Sequence, residues 1–328
     1  MVDRVIAALK QLRALDAAPL SQGLHPRNAR LCLDAALDAI TASALRAELS
    51  TKGSRPDSVT VVAAAGVFTS PIEWVAILAA AGCRVHIKAP TEAPTLCLAL
   101  AKAMQAQGLA VTADTKRALG TPDAVVGFGS DASMATIRDA TPGSRHSLYG
   151  HRFSIAVVTC DPKAAAQALA RDAAMYDTRG CMAPTAVLTT GDPKVLAAHL
   201  AQAMADAQQA IPRGQVDPAL GPEWRRRVGL ARIRGMCLEG EGWAVPVLDA
   251  SDFQPVALPR MLPVHGIQSA PEIDALLAPW HQQLSTCGTD DAQLTPRGTL
   301  RRVALGQMQA PALPRDHDGR PMLGSILG

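Results

Sequence analysis

Apolar residues early in the chain recur at helical spacing: Val5, Leu9 and Leu12, then Leu31, Ala35, Leu37 and Ile40, each set lying between polar faces. This period predicts helices over residues 1–50. Gly53 to Asp57 interrupts it, and short apolar runs then alternate with longer segments of helical pattern. VTVVAAAG from Val59, RVHIKAP from Arg84, GLAVTAD and DAVVGFGS read as strands; Pro71 to Ala81, Thr91 to Gln107 and a short segment from Asp131 read as helices. Such alternation implies parallel strands with helices on both faces.

The polar stretch TPGSRH ends that series, and a second opens with FSIAVVTCDP. A helix from Pro162 to Met175 follows, then a turn carrying Asp177 to Cys181, the strand TAVLTT and a helix from Pro193 to Gln209. Between Ile211 and Leu258, Pro, Gly and charge dilute the pattern, leaving Trp224 to Cys237 as the one candidate helix. PRMLPVHGI, LSTCG and TLRRVAL read as strands and PEIDALLAPWHQQL as a helix, ahead of a Pro-rich end. The lobe boundary is expected near Gly150.

Composition narrows the class. At 328 residues the chain exceeds the usual size of a single core, so two lobes or one large doubly wound domain are expected. Hydrophobic residues make up 48% but aromatics only 3%, which favours close-packed, alanine-rich helices on sheets of small residues. The formal charge of +3 is small and the only basic run, Arg225 to Arg227, sits in a polar, Pro/Gly-flanked stretch, so no nucleic acid partner is indicated. Seven cysteines stand singly with no CxxC pair, which fits a reducing cytoplasm. No apolar run approaches the roughly 20 residues of a membrane helix, and no secretory signal pattern is present, so an unanchored cytoplasmic protein is expected. His25, His86, His199, His265, His281 and His317 lack metal-ligand spacing, and no metal site is expected.

The sharpest constellation is YDTRGCMAPT, residues 176–185, where Cys181 follows a glycine after a helix and precedes a proline and a strand. A cysteine thiolate is nucleophilic near neutral pH, its thioester is a good acyl donor, and neighbouring amides can stabilise a tetrahedral oxyanion. Together with GFGSDASMATIR (127–138), YGHRFSIAVV (149–158), LGQMQAPAL and HDGRP, this segment resembles the LuxC acyl-CoA reductases of the aldehyde dehydrogenase superfamily. The resemblance runs in order from Val59 to the C-terminus. It implies an aldehyde-dehydrogenase-like α/β fold: a doubly wound, Rossmann-type dinucleotide lobe over 1–149, with the tail 301–328 packing back on it, and an α/β catalytic lobe over 150–300. It also implies the reaction, NADPH-dependent reduction of an acyl-CoA to the aldehyde through a thioester on Cys181.

Further residues take roles from the same resemblance. His151 occupies the region where ordinary aldehyde dehydrogenases carry the glutamate that activates a hydrolytic water. Its roles are thiolate generation or proton transfer to the aldehyde oxygen, with a structural core imidazole as the alternative. Lys88 resembles the superfamily lysine that holds the adenosine ribose, the alternative being a solvated loop cation. Thr91 falls where NAD-preferring members tend to have a glutamate; a hydroxyl there tolerates a 2′-phosphate and points to NADPH, although Glu92 stands next to it. Gly129 and Ser130 end a strand and open a helix, placing amides for a pyrophosphate or simply capping the helix.

The chain departs from the family at Val67, where an asparagine near the oxyanion is usual. Losing such a donor costs about 3 kcal/mol of transition-state stabilisation unless Thr69 or Ser70 replaces it. That departure leaves another function open, a catalytically weak acyl-binding subunit partnering an acyl-activating enzyme; within the enzyme class, a CoA-acylating aldehyde dehydrogenase is a further alternative. A homodimer is expected by analogy.

Overall fold

The computed structural model describes residues 1–21 and 23–328. It divides into two compact units, one of Met1–Gln22, Ala29–His151 and Ala310–Gly328, the other of Gly23–Asn28 and Arg152–Gln309.

Helices α1 (Val2–Arg13), α2 (Pro26–Asp38) and α3 (Ala42–Glu48) precede the first sheet. Its strands β1 (Ser58–Val62), β2 (Arg84–Lys88), β3 (Val111–Asp114), β4 (Ala124–Phe128) and β5 (Arg145–Tyr149) are all parallel, in the order β3-β2-β1-β4-β5. Helices α4 (Ser70–Ala81), α5 (Thr95–Ala106) and α6 (Asp131–Ala140) form three of the crossovers. Helix α4 buries nearly every residue, as its unbroken apolar run requires, and Gly82 at φ 91 ends it in the left-handed cap that favours glycine. The strand order reverses between β1 and β4, which in such Rossmann-type sheets marks the ligand crevice at the carboxyl ends of the strands.

The second sheet has the order β12-β11-β6-β7-β10-β9-β8. Its elements are β6 (Phe153–Val158), α7 (Pro162–Ala174), β7 (Pro184–Thr189), α8 (Pro193–Ala210), α9 (Gly221–Arg234), β8 (Met236–Gly240), β9 (Trp243–Leu248), β10 (Val264–Gly266), α10 (Ala270–Leu277), β11 (Leu284–Thr289) and β12 (Arg301–Ala304). Only β8 runs antiparallel to its neighbour. Strands β6, β7 and β11 are buried along their whole length, so they read as continuous apolar runs rather than alternations. One face packs against alanines and leucines of α7 and α8, the other against Phe253, Ile273 and Leu277.

Several elements differ from the sequence expectation. The helix expected from Thr91 begins at Thr95, because Pro94 forces the residue before it out of helical conformation and itself becomes the cap. TPGSRH does not only end a unit; its last two residues start β5. The weakly patterned 211–258 stretch contains the hairpin β8–β9, and the strand in PRMLPVHGI shrinks to three residues. Strand β12 pairs with β11, so residues 301–309 belong to the second unit and only Ala310–Gly328 to the first. No helix among the described residues is long and apolar enough to cross a membrane.

Candidate active site

Cys181 lies on the connection from α7 to β7. Helix α7 ends at Ala174, and the chain then passes through Tyr176, Asp177 and Thr178 at φ 55, 51 and 60. A left-handed conformation costs a non-glycine residue roughly 1–2 kcal/mol, so three in succession need external support. Asp177 supplies part of it. Its side chain is 1% exposed and Oδ1 accepts from Arg260 Nε at 2.8 Å and from Asn28 Nδ2 at 3.1 Å, while Oδ2 accepts the Gly214 amide at 3.0 Å. Arg260, equally buried and itself at φ 49, donates Nη1 to Gln208 Oε1 at 2.8 Å and its amide to Thr178 Oγ1 at 3.2 Å. Thr178 Oγ1 in turn donates to the Ala173 carbonyl at 3.0 Å.

Beyond this turn, Gly180 is buried and Cys181 is exposed. The Ala183 amide donates to the Gly180 carbonyl at 3.0 Å, closing a second turn around the cysteine. The Cys181 carbonyl accepts the Ser154 hydroxyl at 2.6 Å, and the buried Ser154 oxygen accepts the Thr286 amide at 3.0 Å. The cysteine backbone is thereby tied to β6 and β11.

The other thiols are poorly suited to attack an electrophile. Burial pushes Cys97 and Cys287 up to about 12 and Cys237 up to about 11, and it also raises Cys83. Cys32 is buried. Only Cys160 and Cys181 are exposed, and Cys160 sits beyond β6, its sulfur 3.3 Å from the Thr159 hydroxyl.

In the first unit, the expected cofactor residues follow the carboxyl ends of β2 and β4, the two parallel strands that flank β1. Lys88 is the last residue of β2, with Nζ donating to the neighbouring Ala89 carbonyl at 3.1 Å. Thr91 is exposed in the bend that follows. Gly129 follows β4, and Ser130 caps α6, its Oγ accepting the Ser133 amide at 3.2 Å. The helix-capping reading of Ser130 therefore holds for its side chain, and the other amides of the first turn are the ones left for an anion.

His151 lies in the loop between β5 and β6, and it is exposed, which removes the reading of a buried structural imidazole. Its amide donates to Asp131 Oδ1 at 3.0 Å. Gly150 makes this possible, since a Cβ there would come within 2.0 Å of the same oxygen. Val67 is half-buried in the connection from β1 to α4; Thr69 is the buried residue preceding that helix, and Ser70 Oγ is shielded from solvent with no hydrogen-bond partner.

One assembly escaped the sequence reading. Tyr149, ending β5, stacks on Phe128, which ends β4, and packs 4.0 Å from the His317 ring, with the Arg320 guanidinium over the Tyr149 ring at 5.0 Å from its centroid. Arg315 pairs with Glu73 and donates to His317 Nδ1 at 3.2 Å. The HDGRP segment carried a signal, but aromatic packing across some 170 positions has no local pattern.

The residues fit a dinucleotide: an ammonium at the end of β2, a helix N-terminus after β4 and an exposed hydroxyl at Thr91, all on the carboxyl side of a sheet with its switch point between β1 and β4. A parallel sheet of this order, beside a second, mostly parallel sheet with an exposed cysteine on the connection into one of its strands, defines the class by its aldehyde-dehydrogenase-like fold. Solved structures carry the same fold. An oxidoreductase from Marinobacter aquaeolei is similar at 16% identity and TM-score 0.77, over 98% of this chain and 80% of that one. Aldehyde dehydrogenase 21 from Physcomitrella patens, in complex with succinate, is similar at 12% identity and TM-score 0.76, over 100% and 83%. Aldehyde dehydrogenase C from Pseudomonas syringae, complexed with NAD+ and octanal, is similar at 16% identity and TM-score 0.72, over 92% and 75%. No curated protein matches. The acyl-CoA reductase (LuxC) family matches residues 111–327, well over half of the chain, and the chain belongs to that family.

Proposed function

We propose that the protein reduces an acyl-CoA, of fatty type, to the aldehyde with NADPH, using Cys181 as nucleophile and His151 as proton donor. The observation that carries this reading is the placement of Cys181: exposed, on a turn held from both sides, in a chain of the acyl-CoA reductase family.

The Cys181 thiolate attacks the thioester carbonyl, the carbon–sulfur bond to CoA breaks, and CoA leaves as the thiol after taking a proton. The acyl group then stays on Cys181. Bound NADPH supplies the hydride for its reduction. A proton reaches the oxygen from His151; on collapse of the resulting hemithioacetal that proton returns to His151 as the carbon–sulfur bond breaks, releasing aldehyde and restoring the thiolate. In this reading the first lobe, 1–149, holds the dinucleotide through Lys88, the turn at Gly129 and Ser130 with the first-turn amides of α6 that it presents, and Thr91, whose hydroxyl accommodates a 2′-phosphate. The lobe 150–300 carries the nucleophile.

The test is a panel of acyl-CoAs of different chain length, each with NADPH or NADH, following cofactor absorbance and aldehyde together. Aldehyde formed in step with NADPH loss supports the proposal. Oxidation of aldehyde with free CoA but no reduction in reverse would instead favour the CoA-acylating direction. Acylation of Cys181 with no NADPH consumed for any chain would favour an acyl-binding subunit, the reading that Val67 motivates. Light scattering with and without acyl-CoA tests the homodimer.

A further inference from the structure

The buried pair Asp177–Arg260 plays no part in the chemistry just described. A buried ion pair gains little stability over apolar side chains of the same volume, so stability alone does not account for it. Its hydrogen bonds converge on one short segment. Arg260 donates its amide to Thr178 Oγ1 and Nη2 to the Ala174 carbonyl at 3.4 Å, and Asn28 donates to that same carbonyl at 2.9 Å as well as to Asp177. The Gly214 amide completes the set on Asp177 Oδ2. All these contacts fall between Ala174 and Thr178, a few residues before Cys181. The three left-handed positions are filled by Tyr, Asp and Thr, all buried, where glycine would be the unstrained choice. Side chains are therefore wanted at a place where backbone preference argues against them.

Resting on the reading of Cys181 as the nucleophile, we propose that Asp177 and Arg260 are positioning residues: their buried pair holds the left-handed turn 176–178 and so sets where Cys181 presents its sulfur to the thioester carbonyl. Ser154 holds the same cysteine from its other side, through the carbonyl. The nucleophile is thus pinned between two buried anchors rather than carried by a loose loop. Displacing a nucleophile by about 1 Å costs on the order of 100-fold in rate, which is the scale expected when the upstream anchor is lost.

The experiment uses the full-length protein, with Asp177→Asn, Arg260→Met, Arg260→Lys and Thr178→Gly. Single-turnover acylation of Cys181 by octanoyl-CoA is followed by intact mass, alongside alkylation by iodoacetamide across pH 6–9, steady-state kinetics and NADPH affinity. Asp177→Asn and Arg260→Met should acylate about 100-fold more slowly, with the KM for acyl-CoA, the NADPH affinity and the pH midpoint of alkylation unchanged. Arg260→Lys should recover about tenfold over Arg260→Met, since a cation is restored without the fork. A structural role alone would move melting behaviour without splitting kcat from KM.

Folded Asp177→Asn acylating at the wild-type rate would overturn the proposal. If both charge variants fail to fold, Thr178→Gly decides. It keeps the ion pair but removes the oxygen that receives the Arg260 amide and relaxes the turn; about tenfold slower acylation supports the proposal, and a wild-type rate overturns it. Wild-type protein that octanoyl-CoA or any other acyl-CoA fails to acylate would sink the nucleophile reading itself, a different outcome from both.

Discussion

At the scale of single residues, exposure separates Cys160 and Cys181 from the other five cysteines, and the turn between α7 and β7 singles out Cys181. Ser154 is the clearest local support: its buried oxygen bridges the Thr286 amide and the Cys181 carbonyl. Ser154→Ala leaves that amide without its acceptor, and we expect a loss of about 1–3 kcal/mol of stability in urea unfolding. Acylation of Cys181 should slow by roughly tenfold in the same variant, since one of two anchors is gone. Unchanged acylation with lowered stability would separate Ser154 from positioning. Cys181 was readable because Gly-Cys-x-x-Pro sits between a helical and a strand pattern. Asp177 and Arg260 were not, because 83 positions separate them and neither lies in an unusual local pattern.

At the scale of elements, legibility followed locality. Strands β1, β2, β4, β6 and β7 announced themselves as β-branched runs, whereas β5 was missed because RHSLY is polar. Its Ser147 is nonetheless buried, bonding the Ser325 hydroxyl from the far end of the chain, so its partner is invisible to any local window. The hairpin β8–β9 had a signal that went unused: two strand-like runs flank Glu241–Gly242, and Gly242 at φ 83 makes the two-residue turn.

Helix α7 supplies a prediction at this scale. Its Asp172 is fully buried and accepts the Gly306 amide at 2.7 Å and the Met308 amide at 3.1 Å, fixing the segment after β12. Burial nevertheless outweighs these donors and raises its carboxyl from 3.8 to about 6. Because the folded value lies above the unfolded one, the stabilising contribution is complete below about pH 4 and is lost as pH rises through about 6. Relative to Asp172→Asn, wild-type unfolding free energy should therefore fall by about 2 kcal/mol between pH 4.5 and 6.5. Parallel pH dependences in the two proteins would contradict this.

At the scale of the whole molecule, the order β3-β2-β1-β4-β5 and the second, mostly parallel sheet are what alternating apolar and helical patterns implied, and family membership agrees. The extent of each unit was less legible: the crossing of β12 into the second sheet and the placement of Gly23–Asn28 with it depend on pairings that composition does not encode. Ligand linkage gives the prediction here. NADPH at about 100 times its Kd should stabilise the folded protein by about 2.7 kcal/mol, visible as a rise in Tm. Lys88→Ala should shrink that rise, and Cys181→Ser should leave it intact. Thr91→Glu should shift preference toward NADH by placing a carboxylate against the 2′-phosphate.

The most direct measurement of the central claim is peptide-mapped mass spectrometry after mixing the protein with a labelled acyl-CoA in the absence of NADPH. One acyl group per chain, located on Cys181, absent from Cys181→Ser and discharged as aldehyde when NADPH is added, is the predicted result. An unmodified Cys181, or label on Cys160 that persists in Cys181→Ser, would contradict it.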